Sequence, residues 1–459
     1  MIRLKGKKIL IVGLGKTGIR LASFCKKKGA DITVTDINKN ALAKISEQES
    51  LFSGIKKEIG YHNTQTFQNS DLIIISPGIP HDIKPITSAA LKGVKITGEI
   101  EFASQFIETP VIAVTGTNGK TTVTTLIGEM LKHYGKKVFI GGNIGKPLID
   151  YANNNNKADI IAAEISSFQL DTISAFKPNI AACLNISEDH LERYKSYSEY
   201  AASKAKIFAN QDEKDIAVIN GDDTLIRTLT QNIKSKKLFF YPQKKEAGSI
   251  INFKEKKLIF NFINRDEKKK KSINLNNIKL IGAHNIENIA AASLCALAAG
   301  VNIDTIQKIV SEFKGIKHRI EYIDTINGVS YYNDSKATNT DAVLRALQNF
   351  NISLILIMGG IDKGGNFEKL KPLIKQKVKK LIVIGEAKQK IINAFADITE
   401  IIDANSMEEA VNLAHKSAAH GEGALLSPGC ASFDMFCNYA ERGETFCKAV
   451  KELRGLKNE

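Results

Sequence analysis

Short apolar runs rich in β-branched residues recur along the chain, and most end in a glycine-bearing turn. Lys8-Ile-Leu-Ile-Val12, Asp31–Thr35 and Asp71-Leu-Ile-Ile-Ile75 come first. Val111–Val114, Lys137–Ile140, the run into Glu164, Asn179–Asn185 and Asp215–Asn220 follow. Val329–Tyr332, Ser353–Met358, Lys380–Gly385 and Ala424–Leu426 repeat the design. Segments with helical spacing separate them. Strands alternating with helices predict an α/β protein built on parallel sheets. Breaks near Gly98 and Gly315 divide it into three domains, 1–98, 99–314 and 315–459.

The stretch Val111-Ile-Ala-Val-Thr-Gly-Thr-Asn-Gly-Lys-Thr-Thr-Val carries the most chemistry. A strand, a glycine turn and a helix start aim several backbone N–H groups at one point. The helix dipole adds partial positive charge there, and Lys120 adds a full one. Thr121 supplies the hydroxyl that such phosphate loops place on Mg²⁺. The usual first glycine is replaced by Val114. An ordinary strand-to-helix turn is the bland alternative.

Gly13-Leu-Gly-Lys-Thr-Gly18 is a second phosphate-type turn, and Asp36 closes the following strand at the offset expected for a ribose hydroxyl. This makes the first domain Rossmann-like, without saying which nucleotide it holds. Ser76-Pro-Gly-Ile-Pro80 is a tight turn at a strand's carboxyl end, where ligands sit in open parallel sheets. Gly141-Gly-Asn-Ile-Gly145 is a further glycine turn. Glu164, beside hydroxyls and opposite the phosphate loop, is placed to hold Mg²⁺, or else to cap a helix. His190 lies in a polar turn and reads equally as a ligand or a structural histidine. Lys204 and Lys206 look like ordinary solvated lysines. Asn285 and Asn288 share a helix face and either cap it or grip a base.

Composition changes this picture little. The 459 residues are 43% hydrophobic and 25% charged, as in soluble globular proteins. No apolar run is long enough to cross a bilayer, and the N-terminus runs straight into a strand, which predicts a cytoplasmic protein. The net charge of +15 comes from scattered lysines without an aromatic stripe. Lysine-rich codon usage is the simplest explanation of it, and anionic substrates would still benefit from the field. The one dense basic block, Lys268-Lys-Lys-Lys271, reads as a solvated hairpin tip between Lys257–Ile263 and Ser272–Leu275. Six cysteines include no C-x-x-C pair and read as reduced thiols.

Taken together, Thr115-Gly-Thr-Asn-Gly-Lys-Thr-Thr122, the Glu164 strand, His190, Gly282-Ala-His-Asn with Asn288, His318-Arg319 and Asn333-Asp-Ser-Lys-Ala-Thr-Asn339 resemble the Mur ligases, ATP-dependent amino-acid ligases of peptidoglycan synthesis. The resemblance spans essentially the whole chain. It implies a central P-loop ATPase-like domain and a Rossmann-like C-terminal domain. Gly13–Gly18, Ser76–Pro80, Gly359-Gly-Ile-Asp-Lys363, Leu426-Ser-Pro-Gly-Cys-Ala-Ser-Phe-Asp434 and Glu441-Arg-Gly-Glu-Thr-Phe446 resemble the member that adds D-glutamate to UDP-N-acetylmuramoyl-L-alanine. The Asp-Asn-Pro-Arg motif of the diaminopimelate- and lysine-adding members is absent from the sequence.

The resemblance implies these roles. Thr115, Gly116, Thr117, Asn118, Gly119, Lys120, Thr121 and Thr122 form the ATP loop, with Lys120 on the β/γ-phosphates. Asn288, Arg319 and Asp334 also meet ATP. Thr121 and Glu164 hold one Mg²⁺, and His190 the second. Lys204 matches the lysine that family members carbamylate into a metal ligand, so catalysis falls to Lys120, His190 and Lys204. Thr17, Asp36, Ser76, Gly78 and Asn143 surround the UDP substrate. Lys336, Thr338, Lys363, Ser432 and Tyr439 receive D-glutamate. The alanine carboxylate attacks ATP to give an acyl phosphate, which the D-glutamate amine then opens. A site formed between three domains would exclude water.

The expected partners are small molecules, with no nucleic acid, no membrane insertion and a monomeric chain. Asn38 departs from an arginine near the uridine diphosphate, and Tyr439 from a phenylalanine. The rival readings are a ligase for another amino acid, L-glutamate included, a nucleotide sensor holding NAD, and a nucleic-acid ATPase.

Overall fold

The computed structural model describes residues 3–46, 49–154, 157–188, 193–241, 246–252, 254–261, 271–276, 278–280 and 283–454. Its strands fall into three sheets, each in its own stretch of sequence. The first holds β1 (Lys8–Val12), β2 (Asp31–Asp36), β3 (Lys56–Ile59), β4 (Leu72–Ile75) and β5 (Lys95–Gly98) in the order β3-β2-β1-β4-β5. All of its pairings are parallel. β1 and β4 are apolar at almost every position because both of their faces are covered. Ile9, Ile11 and Ile74 enter one core, while Leu10, Val12, Ile73 and Ile75 enter another on the opposite face.

The second sheet contains β6 (Val111–Thr115), β7 (Val138–Gly142), β8 (Ile160–Glu164), β9 (Ile180–Cys183), β10 (Ile216–Asn220), β11 (Lys236–Phe240), β12 (Gly248–Asn252), β13 (Lys257–Phe260) and β14 (Lys271–Asn274). Its order is β14-β13-β12-β11-β10-β9-β6-β8-β7. β6 is interior, between β9 and β8, and the helix Lys120–His133 follows it. Register brings four strand ends level: Val114 faces Glu164, Thr115 faces Cys183, and Gly142 faces Glu164. Sequence order alone does not reveal this alignment.

The third sheet has β15 (Glu321–Ile326), β16 (Val329–Asn333), β17 (Leu354–Gly359), β18 (Val378–Ile384), β19 (Glu400–Asp403) and β20 (Gly423–Gly429), ordered β15-β16-β20-β17-β18-β19. The loops after β16, β17 and β20 leave from neighbouring strand ends, because Asn333 faces Leu426 and Gly359 faces Gly429.

The sheets are mostly parallel, as expected, with antiparallel pairs at two edges. β12, β13 and β14 form an antiparallel meander, and β15 pairs antiparallel with β16. β15 was not foreseen. It joins β16 through Asn327-Gly328, whose φ angles are +53° and +78°. Two left-handed residues make the hairpin turn that matches strand twist. The strands flanking the basic block do pair antiparallel, with Phe260 opposite Lys271, but the expected hairpin tip falls on residues 262–270, outside the described residues.

By internal packing the chain divides into two compact units. One comprises 1–186, 193–276 and 288–310; the other comprises 311–459 with the short segments 187–192 and 277–287. All six cysteines are free thiols, four of them buried. Among the described residues no helix is long and apolar enough to cross a membrane.

Candidate active site

The phosphate loop follows from backbone geometry that only small residues allow. Gly119, ahead of the helix Lys120–His133, has φ +85°, and a Cβ there would stand 2.3 Å from Asn288 Oδ1. Asn288 therefore packs against the loop itself. Asn185, at the end of β9, clamps the loop from the other side. Its Oδ1 accepts from the Asn118 N–H at 2.8 Å, its Nδ2 donates to the Asn118 carbonyl at 3.0 Å, and its carbonyl accepts from the Thr117 N–H at 2.9 Å. Nothing local in the sequence marked Asn185.

Lys120 curls over the loop, and its ammonium donates to the carbonyls of Gly116 and Thr117, both at 2.8 Å. Thr115, Thr121 and Thr122 are buried around it. The Thr121 hydroxyl donates to Glu164 Oε2 at 2.7 Å, and the Asn143 amide donates to Glu164 Oε1 at 2.8 Å. Ser166, with Gln169 completing a capping box, caps the next helix, so the capping alternative for Glu164 fails. Glu164 instead gathers the phosphate-loop helix and the Gly141–Gly145 turn at one point.

Lys204 overturns its reading as a solvated lysine. It is only 2% exposed, and its ammonium donates to the Gly116 carbonyl at 2.9 Å. It also lies 4.6 Å from the centre of the Tyr200 ring, whose hydroxyl is 3.2 Å from Thr117 Oγ1. Lys206, two residues on, is the solvated one, at 3.6 Å from Asp171. His190 lies outside the described residues.

The Gly13–Gly18 and Ser76–Pro80 turns of the first sheet are tied together. Ser76 Oγ donates to the Gly13 carbonyl at 2.9 Å, and Asp36 accepts from the N–H of Leu14 at 2.7 Å and of Asn38 at 2.9 Å. Thr17 is half-buried, and Gly78 and Asn38 are exposed. Arg193, also missed, donates to the carbonyls of Pro77 and Ile79 at 3.1 and 3.0 Å, and its guanidinium lies 4.0 Å from the centre of the Phe168 ring. It thereby fixes the Ser76–Pro80 turn.

In the smaller unit Arg319 sits between two strained residues, His318 at φ +66° and Ile320 at +45°. A β-branched residue in that region is a real outlier, and such strain persists where surrounding contacts over-determine it. Asp334 supplies one such contact, accepting from the Ile320 N–H at 3.2 Å. Burial pushes the Asp334 carboxyl up to about 7, against the opposing Ser427 hydroxyl and Arg319 charge.

Thr338 and Lys363 line one cavity of about 370 Å³, together with Asp341, Asp362 and Lys369. Lys336 is elsewhere: its ammonium lies 4.9 Å from the centre of the Tyr439 ring. Ser432 is buried, and its carbonyl accepts from Phe436 at 2.9 Å. The residues expected around D-glutamate thus form two pairs and a buried serine.

What organises them is Arg442, 1% exposed on the helix Tyr439–Glu452. Its guanidinium donates to Ser335 Oγ at 3.0 Å and to the carbonyls of Ser335, Gly359 and Cys430 at 2.8 to 3.3 Å. Ser335 and Cys430 stand in the loops after β16 and β20, and Gly359 ends β17. Burial lowers its pKa to about 10.

Three family models match these stretches. Residues 7–98 match the Mur ligase MurD-like N-terminal domain, 114–296 the Mur ligase middle domain, and 318–430 the Mur ligase glutamate ligase domain. A UDP-N-acetylmuramoylalanine–D-glutamate ligase of Desulfatibacillum aliphaticivorans is 48% identical over 451 residues, covering 98% of this chain and 99% of its own. One from Desulfosudis oleivorans is 44% identical over 454 residues, covering 99% and 98%. Among solved structures, a pseudomurein peptide ligase type C from Methanothermus fervidus shares the fold, with a TM-score of 0.62 at 20% identity over 98% of this chain and 100% of that one.

Proposed function

The chain belongs to the Mur ligase family, and from that premise we propose that it joins D-glutamate to UDP-N-acetylmuramoyl-L-alanine, converting ATP to ADP and phosphate. The observation that carries the reading is Glu164, whose two oxygens meet the Thr121 hydroxyl and the Asn143 amide beside the phosphate loop. One carboxylate there links the nucleotide-binding helix to the turn assigned to the muramoyl group.

The alanine carboxylate attacks the γ-phosphorus of ATP, the bond to the β-phosphate oxygen breaks, and an acyl phosphate and ADP result. The D-glutamate amine then attacks the acyl carbon. Phosphate leaves with the C–O electron pair, and the nitrogen loses its proton. Lys120 leaves the Gly116 and Thr117 carbonyls to donate to the β- and γ-phosphates, offsetting charge where two anions must approach. The loop N–H groups from Thr115 to Thr122 orient the triphosphate. The family resemblance also assigns Asn288, Arg319 and Asp334 to ATP.

A hydroxyl and a carboxylate are hard oxygen donors, so Thr121 and Glu164 would suit Mg²⁺. Bound there, it would supply charge neutralisation along the triphosphate. A second ion is assigned to His190 with Lys204. A lysine amine is a poor Mg²⁺ ligand, so that role requires carbamylation of Lys204, which supplies oxygens. Thr17, Asp36, Ser76, Gly78 and Asn143 are assigned to the UDP substrate, and Lys336, Thr338, Lys363, Ser432 and Tyr439 to D-glutamate. We place the activity in the cytoplasm, in a monomer.

The test is phosphate release with ATP and UDP-N-acetylmuramoyl-L-alanine, each amino acid being supplied in turn. D-glutamate alone is expected to support turnover, and Lys120→Ala to release no ADP. Turnover with L-glutamate, or with a different amino acid only, would overturn the assignment.

A further inference from the structure

Lys16 is exposed at the first position of the helix Lys16–Lys27, and its ammonium donates to the carbonyl of Gly145. It therefore reaches from the Gly13–Gly18 turn to the Gly141–Gly145 turn, the two glycine turns assigned to one substrate. The electrostatics of this placement are unfavourable without an anion. A cation at a helix N-terminus opposes the dipole, and the first turn of this helix contains no acidic residue. Among the described residues no carboxylate pairs with Lys16. Arg20, one turn further on, does have one, with its Nε 3.4 Å from Asp150 Oδ1. The carboxylate at the strand end, Asp36, is committed to the N–H groups of Leu14 and Asn38.

Positive potential thus collects between Thr17 and Asp36 on one side and Asn143 on the other. A UDP-sugar bound by both sets has its diphosphate in between. We propose that Lys16 is a substrate-binding residue that donates directly to this diphosphate, and that its hold on Gly145 keeps the ammonium in place before the substrate arrives. The inference rests on the UDP-substrate reading of these turns. It adds a residue that a phosphate-turn pattern leaves unspecified, since the pattern fixes the glycines and not the position between them.

The experiment compares Lys16→Met and Lys16→Arg with the wild-type enzyme. One lost charge-assisted hydrogen bond is expected to raise KM for the UDP substrate by about tenfold. The kcat and the KM values for ATP and D-glutamate stay unchanged, and Lys16→Arg restores most of the loss. Calorimetric binding of UDP should weaken by a similar factor in Lys16→Met, while binding of uridine does not change. Equal weakening of UDP and uridine would make Lys16 a strap between two turns and overturn the proposal, as would an unchanged affinity for UDP. A wild-type enzyme that fails to turn over but binds UDP in a Lys16-dependent manner would sink the assigned reaction and leave this contact standing.

Discussion

The Lys204 ammonium lies 2.9 Å from the Gly116 carbonyl, although 88 residues separate the two in sequence. A buried cation thus props the turn assigned to the triphosphate. Lys204→Met keeps the stem and removes the charge. Phosphate release is expected to fall by about two orders of magnitude or more, the scale of a lost pre-organised electrostatic contact. Added bicarbonate is expected to leave the variant inactive, whereas bicarbonate-depleted buffer slows the wild type. A variant that turns over normally would remove Lys204 from the mechanism.

Glu164→Gln separates charge from shape. The amide still accepts from the Thr121 hydroxyl, so thermal stability should change by less than about 1 kcal/mol. A magnesium titration of turnover should shift its midpoint upward by more than about tenfold, because a hard cation has lost its anionic ligand. An unshifted midpoint would place the ion elsewhere.

Arg442→Met is expected to destabilise the smaller unit by about 3 kcal/mol or more, since buried carbonyls of Ser335, Gly359 and Cys430 lose their donor. A urea transition followed by intrinsic tyrosine fluorescence reads this. Arg442→Lys should recover only part of the loss, because one ammonium cannot span the guanidinium's fork. In the folded Lys variant, KM for D-glutamate should rise while KM for ATP changes less.

Glu99 offers a pH test far from the chemistry. Burial pushes its carboxyl up to about 7, although Oε1 accepts from the Ile149 N–H at 2.7 Å. The folded value exceeds the ordinary carboxyl value of 4.5, so this residue favours the fold below that value. The contribution is lost as pH rises through about 7. Glu99→Gln keeps the acceptor and cannot ionise. Its melting temperature should match the wild type near pH 5 and exceed it at pH 8, by the equivalent of about 3 kcal/mol. Parallel melting curves at both pH values would show that the carboxyl titrates normally.

What could be read from the chain was chemistry concentrated in one place. The run from Val111 to Thr122 announces itself because apolar residues, glycines, lysine and hydroxyls are adjacent. Asn327-Gly328 is an equally local signal, a two-residue turn that fixes the β15–β16 hairpin. Lys204, Asn185, Arg193 and Arg442 were opaque. Each side chain acts on a backbone distant in sequence, and no neighbour along the chain differs from that of an ordinary surface residue. The splitting of Thr338 and Lys363 from Lys336 and Tyr439 is likewise a matter of where loops leave a sheet.

The supports of the phosphate loop have one more consequence. Asn185, Lys204 and Asn288 all come after the loop in the chain. On a translating ribosome the glycine turn therefore emerges well before anything that shapes it. A nascent chain that has made only the turn and its helix has the right letters but no rigid cradle. Nucleotide capture must wait until the segment containing Asn288 has cleared the exit tunnel, so ATP can stabilise this domain only late in its folding.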